Sequence, residues 1–378
     1  MDKLRVGVVG CGGIANGKHF PALNKLKDRI ELAGFCDIIE ERATTACKKY
    51  GDPEAKVYLD HRRLLEDKTI DVVYVLTPNV SHCAISVDSL EAGKHVLCEK
   101  PMAATYADAR KMLDATKRTG KKLTIGYQNR FRRNVQFLHK ACRAGDLGDI
   151  YFARAQALRR KGVPTWGVFS DKSKQGGGPL IDLGTHVLDI TLWMMDNYKP
   201  KQVVGSVFYK LKDNPEGNMF GPWNPRTHEV EDSAFGFIKM ENGATISLEA
   251  SWAINIRKDE SGLTLCGTLA GAETVPATAP MIPVNSYEPV IFNTVRHGEL
   301  VDTGPMERSG LAAADWGGEP FRVGDAESTA WLDAIVNNTE VYVKPEQALV
   351  VTRILEAIYQ SAQTGKAIEL TDKDNEGV

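Results

Sequence analysis

The chain has 378 residues, a formal net charge of −2, and ordinary proportions of hydrophobic (43%) and charged (25%) residues. A chain of this length is expected to form two domains, and its near-neutral charge gives no electrostatic reason to expect nucleic acid or an anionic membrane as a partner. No apolar stretch approaches a membrane span, and the first residues lead directly into a predicted strand, so neither a signal peptide nor a transmembrane segment is expected. These features predict a cytoplasmic protein.

The seven cysteines are odd in number, scattered, and lack a C-x-x-C pair. Cys11, Cys36 and Cys98 lie in or beside predicted strands, a position typical of reduced core thiols rather than disulfides. The eight histidines are dispersed, without H-E-x-x-H spacing, so no metal site is expected.

A glycine-rich turn follows the first predicted strand, which lies around Val6–Val9. Residues 10–15 read Gly-Cys-Gly-Gly-Ile-Ala and fit the G-x-G-x-x-A pattern. In that pattern Gly10 permits a tight turn, Gly12 lets the backbone approach a pyrophosphate, and Ala15 allows close packing of helix on strand. The amides at the start of the next helix then face the anion.

The second predicted strand ends at Asp37, roughly 20 residues beyond the glycine turn, where an acid can bind the ribose hydroxyls. Neutral Ile38 and Ile39 follow, and the next basic residue is Arg42. Because a carboxylate repels a 2′-phosphate, the expected cofactor is NAD, with NADP less favoured.

Strand-like and helix-like segments alternate over residues 1–127, which predicts a Rossmann dinucleotide-binding domain built on a parallel sheet. Beyond the first two strands, the expected strands cover 56–59, 71–76, 95–98 and 122–127. The expected helices cover 21–27, 40–50, 62–67, 81–92 and 106–119.

Residues 128–378 are predicted to form an α+β domain with a large, mostly antiparallel open sheet, so the fold class is α/β. Its expected strands are 150–158, 202–209, 233–240, 244–252 and 262–266, with a hairpin turn at 241–243, and its expected helices are 134–144, 180–195 and 345–364. The last helix is a candidate for packing on the first domain. Two stretches, 211–227 and 274–321, are expected to be loops, and the sequence does not assign them a role.

Two segments carry candidate chemistry. The first, Glu99-Lys100-Pro101, directly follows a predicted buried strand, so that Lys100 lies at the carboxyl end where this fold binds ligands; the alternative is an ordinary charged strand end. The second is the helix 180–195, where Asp182, His186 and Asp189 share one face of a mostly apolar helix. A satisfied core Asp–His pair is the alternative for that helix.

Taken together, these motifs resemble the glucose–fructose oxidoreductase/inositol dehydrogenase/MocA family. The matching positions are the glycine turn 10–15, Thr77-Pro78-Asn79 with His82, Glu99-Lys100-Pro101, and Gly178, Asp182, His186 and Asp189. The resemblance runs in order from the first strand to about Trp252. It implies a Rossmann domain, a sheet domain that often forms dimers or tetramers, and NAD(P)-dependent redox chemistry on a sugar, cyclitol or related polyol.

By this resemblance Lys100 is the catalytic lysine, and Asp182 and His186 are the acid and base of the substrate site. The residue types suit the reaction, because a carbinol carbon loses hydride only as its hydroxyl proton departs to a base such as imidazole. An ammonium beside the same oxygen stabilises the developing alkoxide. The expected cofactor-binding positions are Gly10, Gly12, Gly13, Ile14, Asp37, Thr77, Pro78, Asn79, His82, Glu99, Lys100 and Gln128. His82 and Gln128 are equally consistent with ordinary structural roles.

The segment 159–167 can line a sugar pocket, with Trp166 stacking on C–H faces and Arg160 bonding hydroxyls. The alternative is a packed loop with a surface basic patch. The nearby run of Arg130, Arg132 and Arg133 is expected on a solvated face.

Three functions remain open. The first is an NAD-dependent dehydrogenase that oxidises a secondary hydroxyl of a sugar, anhydrosugar or cyclitol, with Lys100 and His186 as the acid/base pair. The second is an NAD-dependent glycosidase that uses transient oxidation and elimination. The third, a non-catalytic nucleotide sensor, is disfavoured because such relatives tend to lose the lysine or the histidine. The expected partners are a small polyol or sugar and further copies of the chain in a homodimer or homotetramer.

Overall fold

The computed structural model describes residues 3–211, 213–274, 290–305 and 322–370. The strands are β1 (Leu4–Val9), β2 (Ile30–Cys36), β3 (Lys56–Tyr58), β4 (Val72–Val75), β5 (His95–Cys98), β6 (Leu123–Ile125), β7 (Ile150–Leu158), β8 (Pro200–Phe208), β9 (Ser233–Met240), β10 (Thr245–Ser251), β11 (Glu260–Gly267), β12 (Gly271–Thr274), β13 (Val290–Arg296), β14 (Glu299–Thr303) and β15 (Ile368–Glu369).

The α-helices are α1 (Phe20–Asn24), α2 (Glu40–Tyr50), α3 (His61–Leu65), α4 (His82–Glu91), α5 (Tyr106–Thr119), α6 (Arg133–Ala144), α7 (Lys172–Gln175), α8 (Thr185–Met195), α9 (Val323–Val336) and α10 (Pro345–Thr364). Short π-helical turns at Ala15–His19 and Leu180–Gly184 run directly into α1 and α8.

The chain divides into two compact units. The first comprises residues 1–128, 173–176 and 324–352, and the second comprises 129–172, 177–323 and 353–378. The first unit therefore includes α9 and the start of α10, a segment that the sequence analysis assigned to the second domain.

The first unit is built on a six-stranded parallel sheet in the order β3-β2-β1-β4-β5-β6. This order places the reversal of the sheet between β1 and β4, the position at which doubly wound folds bind dinucleotides. Helix α9 belongs to this core because Trp331 and Leu332 pack with residues such as Val6 and Tyr74. The predicted Rossmann domain is confirmed.

The second unit is built on a nine-stranded sheet in the order β14-β13-β12-β11-β7-β10-β9-β8-β15. All neighbours pair antiparallel except β7 and β10, which are parallel. The predicted hairpin is present, since β9 and β10 pair on either side of Gly243, whose φ of 88° lies in the left-handed region. The large, mostly antiparallel sheet is confirmed.

Three predictions of local structure were wrong. The first helical segment begins earlier than the predicted 21–27, because helical backbone starts at Gly13, within the glycine turn, and continues into α1, which ends at Asn24. The stretch 274–321 is not loop throughout, because β13 and β14 pair across a turn at His297 and Gly298; residues 275–289 and 306–321 lie outside the described part. Arg130 is not on a solvated face, since its side chain is fully buried.

Candidate active site

The glycine turn after β1 has the geometry that the sequence pattern requires. Gly10 has φ 96°, and its N–H donates to the Cys36 carbonyl at 2.8 Å. A Cβ at Gly10 would lie 2.5 Å from the Leu76 carbonyl oxygen, so only glycine fits. At Gly12 and Gly13 a Cβ would meet nothing within 4 Å. The turn is therefore closed toward the sheet and open on the side where a pyrophosphate can approach.

Asp37 follows β2 and faces this turn. Its Oδ2 accepts a hydrogen bond from the Cys11 N–H at 2.9 Å, and its Oδ1 accepts one from the Ile39 N–H at 2.9 Å. Each carboxylate oxygen retains a further lone pair for a ribose hydroxyl. Asp37 thus fixes the glycine turn and presents an acceptor beside it.

Two predicted cofactor residues of the first unit carry buried oxygens that have no hydrogen-bond partner among the described residues: Thr77 Oγ1 and Gln128 Oε1. Such atoms are costly in a folded protein unless water or a ligand satisfies them. Together with the open glycine turn and the Asp37 carboxylate, they fit a bound dinucleotide. The residues present would hold NAD in this unit.

His82, in contrast, is engaged within the protein. Its Nδ1 lies 2.8 Å from the Pro101 carbonyl, and its Nε2 lies 2.9 Å from the Thr77 carbonyl. The ring is fully buried and links the segments that follow β4 and β5. Its role toward a cofactor stays a prediction, and its visible role is to hold these segments together.

Lys100 follows β5, and its peptide bond to Pro101 is cis. Its backbone N–H donates to Glu99 Oε2 at 3.1 Å. The other oxygen, Glu99 Oε1, lies 2.7 Å from both Lys18 Nζ and His19 Nε2. The predicted cofactor residue Glu99 is therefore the anchor of the turn that carries Lys100.

Lys18 also binds Glu327 of α9, with Nζ 2.8 Å from Oε2. All four side chains of this cluster are less than a tenth exposed. Burial raises the pKa of Glu99, but Lys18 and His19 outweigh it and hold that pKa well below its usual range. Burial raises the pKa of Glu327 and lowers that of His19 to about 4. We name this group, Lys18, His19, Glu99 and Glu327, the buried charge cluster.

In the second unit, Asp182 lies in the π-helical turn and His186 in the first turn of α8. The helix predicted over 180–195 is confirmed. The indole Nε1–H of fully buried Trp252 donates to Asp182 Oδ2 at 3.0 Å. A residue at the end of the central strands thus fixes the carboxylate of the predicted substrate acid.

Glu231 holds the start of this helical segment. Its carboxylate accepts hydrogen bonds from the N–H groups of Gly178 at 3.0 Å and Leu180 at 3.2 Å, and from the Tyr359 hydroxyl at 2.7 Å. A carboxylate at a helix N-terminus satisfies otherwise unpaired donors and complements the helix dipole. Burial raises the pKa of Glu231.

Asp189, the third polar residue on the predicted helix face, has a structural partner. Arg130 donates from Nε to Oδ2 at 2.9 Å and from Nη2 to Oδ1 at 2.6 Å, and both side chains are buried. A bidentate pair of this kind explains why two charges lie in the core.

The predicted sugar-binding loop follows β7. Arg160 is exposed; its N–H donates to Asp259 Oδ1 at 2.8 Å, and its Nη1 donates to the Arg257 carbonyl at 3.3 Å. The Trp166 side chain is 52% exposed. Both are accessible, as a substrate-binding role requires.

The structure thus gathers the predicted cofactor residues and Lys100 in the first unit, and Asp182, His186, Arg160 and Trp166 in the second. The sequence analysis missed Lys18, Glu327, Glu231 and Trp252. Lys18 lies three residues beyond the glycine turn, which was a usable signal, whereas the other three come from distant elements whose packing has no local sequence signature.

Within the described ranges, no helix is both long and apolar enough to cross a bilayer. Nor do the described residues contain a group of three or more His, Cys, Asp or Glu side chains placed to hold a metal ion.

A parallel sheet of this order, with an open glycine turn and an acid after β2, is the arrangement of an NAD-binding Rossmann domain. Residues 4–127 match the oxidoreductase family with an NAD-binding Rossmann fold, and residues 139–370 match the C-terminal alpha/beta domain of the same family. The chain belongs to the Gfo/Idh/MocA oxidoreductase family.

The chain is 37% identical over 372 residues to the D-glucoside 3-dehydrogenase of Escherichia coli, covering 97% of each chain. It is 30% identical over 202 residues to the inositol 2-dehydrogenase of Salmonella typhimurium, covering 53% of this chain and 57% of that one. Among solved structures, it is similar to an aldose-aldose oxidoreductase from Caulobacter crescentus complexed with glycerol, with TM-score 0.77 and 25% identity, over 98% of this chain and 100% of the other.

Proposed function

We propose that the protein is an NAD-dependent dehydrogenase that oxidises a secondary ring hydroxyl of a sugar, anhydrosugar or cyclitol. The observation that carries the proposal is the place of Lys100. It follows β5 at the sheet edge that holds the open glycine turn, and its backbone is anchored by the Glu99 carboxylate. A nucleotide sensor does not require a lysine on an anchored turn at that edge. The sequence similarity to a D-glucoside 3-dehydrogenase makes D-glucosides the substrates to test first.

In the proposed reaction, bound NAD supplies the hydride acceptor. His186 takes the proton of the reacting hydroxyl, and the Lys100 ammonium stabilises the alkoxide that develops on the same oxygen. Asp182, held by the Trp252 indole, accepts a hydrogen bond from a neighbouring hydroxyl and orients the ring. Arg160 and Trp166 are proposed as further substrate contacts, and Asp37 as the residue that favours NAD over NADP.

The test is NADH formation, followed by its near-ultraviolet absorbance, with NAD and NADP side by side. The panel contains D-glucosides, inositols and anhydrosugars, and NMR of the product identifies the oxidised carbon. We expect Lys100→Met to lower kcat/KM by about 10²–10³-fold and His186→Ala by about 10²–10⁴-fold.

NAD binding, measured by calorimetry, should persist in His186→Ala, and Lys100→Met is assayed at saturating NAD because Lys100 is also a predicted cofactor contact. Full activity in both would refute the assigned roles. Release of aglycone from aryl glycosides without net NADH would instead identify a redox-assisted glycosidase.

A further inference from the structure

A line of aromatic side chains leads away from Asp182 in the second unit. Trp252, which donates to Asp182, meets the ring of Phe169 edge-on at 6.2 Å and 79°. Phe169 meets Trp166 at 6.1 Å and 75°, and Trp166 meets Phe220 at 4.9 Å and 85°. We name Trp252, Phe169, Trp166 and Phe220 the aromatic wall. Edge-to-face contacts of this kind are favourable and define the orientation of each ring.

Arg159 connects the far end of the wall back to Asp182. Its guanidinium lies over the Phe220 ring at 5.5 Å, and its Nη1 donates to the Gly162 carbonyl at 3.0 Å. Burial lowers the pKa of Arg159, and the charge of Asp182 opposes that effect, as expected for neighbouring groups. Arg159 therefore lies at the Phe220 end of the wall and interacts electrostatically with the proposed substrate carboxylate.

Exposure increases from Trp252 to Trp166, and Phe220 beyond Trp166 is partly buried. Trp252 is fully buried beside Asp182, whereas Trp166 is 52% exposed, and Met219, which precedes Phe220 in the chain, is 42% exposed. A single exposed apolar side chain is ordinary, but contiguous ones mark a binding surface. The outer end of the wall presents such a surface, with Phe169 between it and Trp252.

Two loops hold this outer end in place. The Thr165 hydroxyl donates to the Phe220 carbonyl at 3.0 Å, and the Val163 N–H donates to Asn218 Oδ1 at 2.8 Å. The Met219 N–H in turn donates to the Lys161 carbonyl at 3.0 Å. Because these bonds join the two loops, the rings are ordered before a ligand arrives, which reduces the entropic cost of binding.

We propose that the outer end of the wall, Trp166 with Phe220, binds the aglycone of a glycoside whose sugar ring is held at Asp182. This inference rests on the proposed function and names its substrate class: glycosides with a ring-shaped aglycone, either aryl or a second pyranose. Both present a flat apolar or C–H face that stacks on indole and phenyl rings. The wall assigns Trp166 to the aglycone rather than to the reacting ring.

The test compares kcat/KM for methyl, 4-nitrophenyl and disaccharide glucosides, each as both anomers. The wild type should prefer the ring-bearing glucosides over methyl glucoside by about tenfold. Trp166→Ala should remove most of that preference, mainly through KM. Phe220→Leu, which keeps an apolar side chain, should remove part of it and serves if Trp166→Ala fails to fold.

Phe137→Ala is the matched control. Phe137 is 41% exposed and meets Phe292 edge-on at 5.9 Å, like Trp166 and Phe220, but it belongs to α6. This variant should leave the preference as in the wild type. A change in molecular mass on Trp166→Ala by light scattering would assign the surface to subunit contact and overturn the proposal.

An equal loss of kcat/KM on methyl and ring-bearing glucosides in Trp166→Ala would also overturn the proposal. A wild type that shows no preference for ring-bearing glucosides would overturn it as well. Failure of the proposed function gives a different result. In that case the wild type oxidises no glycoside. Calorimetry then tests the wall separately: tighter binding of 4-nitrophenyl glucoside than of methyl glucoside would support it, and equal affinities would overturn it.

Discussion

At the residue scale, the Asp37 carboxylate anchors the glycine turn through the Cys11 N–H, and we propose that its negative charge also disfavours the 2′-phosphate of NADP. Asp37→Asn removes the charge and keeps an acceptor for the turn. We expect the ratio of kcat/KM with NADP to that with NAD to rise about tenfold or more. Steady-state kinetics with both cofactors measure the ratio.

Asp52→Asn is the control for this variant. Like Asp37, Asp52 accepts a backbone hydrogen bond, in this case from the Leu32 N–H of β2, but it belongs to none of the proposed sites. In Asp52→Asn the ratio of kcat/KM with NADP to that with NAD should equal the ratio of the wild type. An unchanged ratio in Asp37→Asn would show that another group selects the cofactor.

At the scale of secondary-structure elements, the buried charge cluster connects the first helix, the end of β5 and α9. Removing Lys18 leaves the carboxylates of Glu99 and Glu327 buried without their cation. We expect Lys18→Met to lower the free energy of unfolding by about 3–5 kcal/mol, the usual cost of breaking a buried ion pair. Urea denaturation measures it.

Glu327→Gln is the matched variant, because it removes one carboxylate and leaves the pair of Lys18 with Glu99. Burial raises the pKa of Glu327, so its charge is costly, and the substitution should change stability by about 1 kcal/mol or less. A loss of unfolding free energy as large as that in Lys18→Met would show that the ion pair of Lys18 with Glu327, rather than the one with Glu99, holds the cluster together.

Glu231 gives a prediction with a defined pH dependence. Burial raises its folded-state pKa above the unfolded value, so its contribution to stability is complete below the unfolded pKa, about 4.3, and is lost as pH rises through the folded-state pKa. The stability of the wild type relative to Glu231→Gln should therefore fall as pH rises from about 4.3 toward the raised folded-state pKa. Denaturation of both proteins across this range tests it, and a rise would contradict the assigned direction.

The same elements show what the sequence can predict. The glycine turn and Asp37 were predicted because their chemistry is local, and the helix 180–195 because its apolar pattern is continuous. The cluster partner Glu327 and the helix anchor Glu231 lie far along the chain from Lys18 and Gly178, and only tertiary packing brings them together. Asp189 was predicted on the same face as Asp182 and His186, but periodicity cannot show that Arg130 neutralises it in the core.

At the scale of the whole molecule, the nine-stranded sheet presents apolar side chains on β8 and β9. Val204 pairs with Phe237, both nearly half exposed, and the Phe208 and Phe235 rings meet edge-on at 5.9 Å. A contiguous apolar patch of this kind is typical of a subunit interface. We expect a homodimer or homotetramer, and Phe237→Glu should lower the mass measured by light scattering. A wild type that is monomeric across the concentration range would contradict this.

Lys100 is the proposed catalytic group on which the assignment as an NAD-dependent dehydrogenase most depends. The most direct measurement is NADH formation from NAD and a D-glucoside by the wild type and Lys100→Met at matched cofactor occupancy. We predict NADH formation by the wild type and a loss of about 10²-fold or more in the variant. Equal rates in the two proteins would contradict the account.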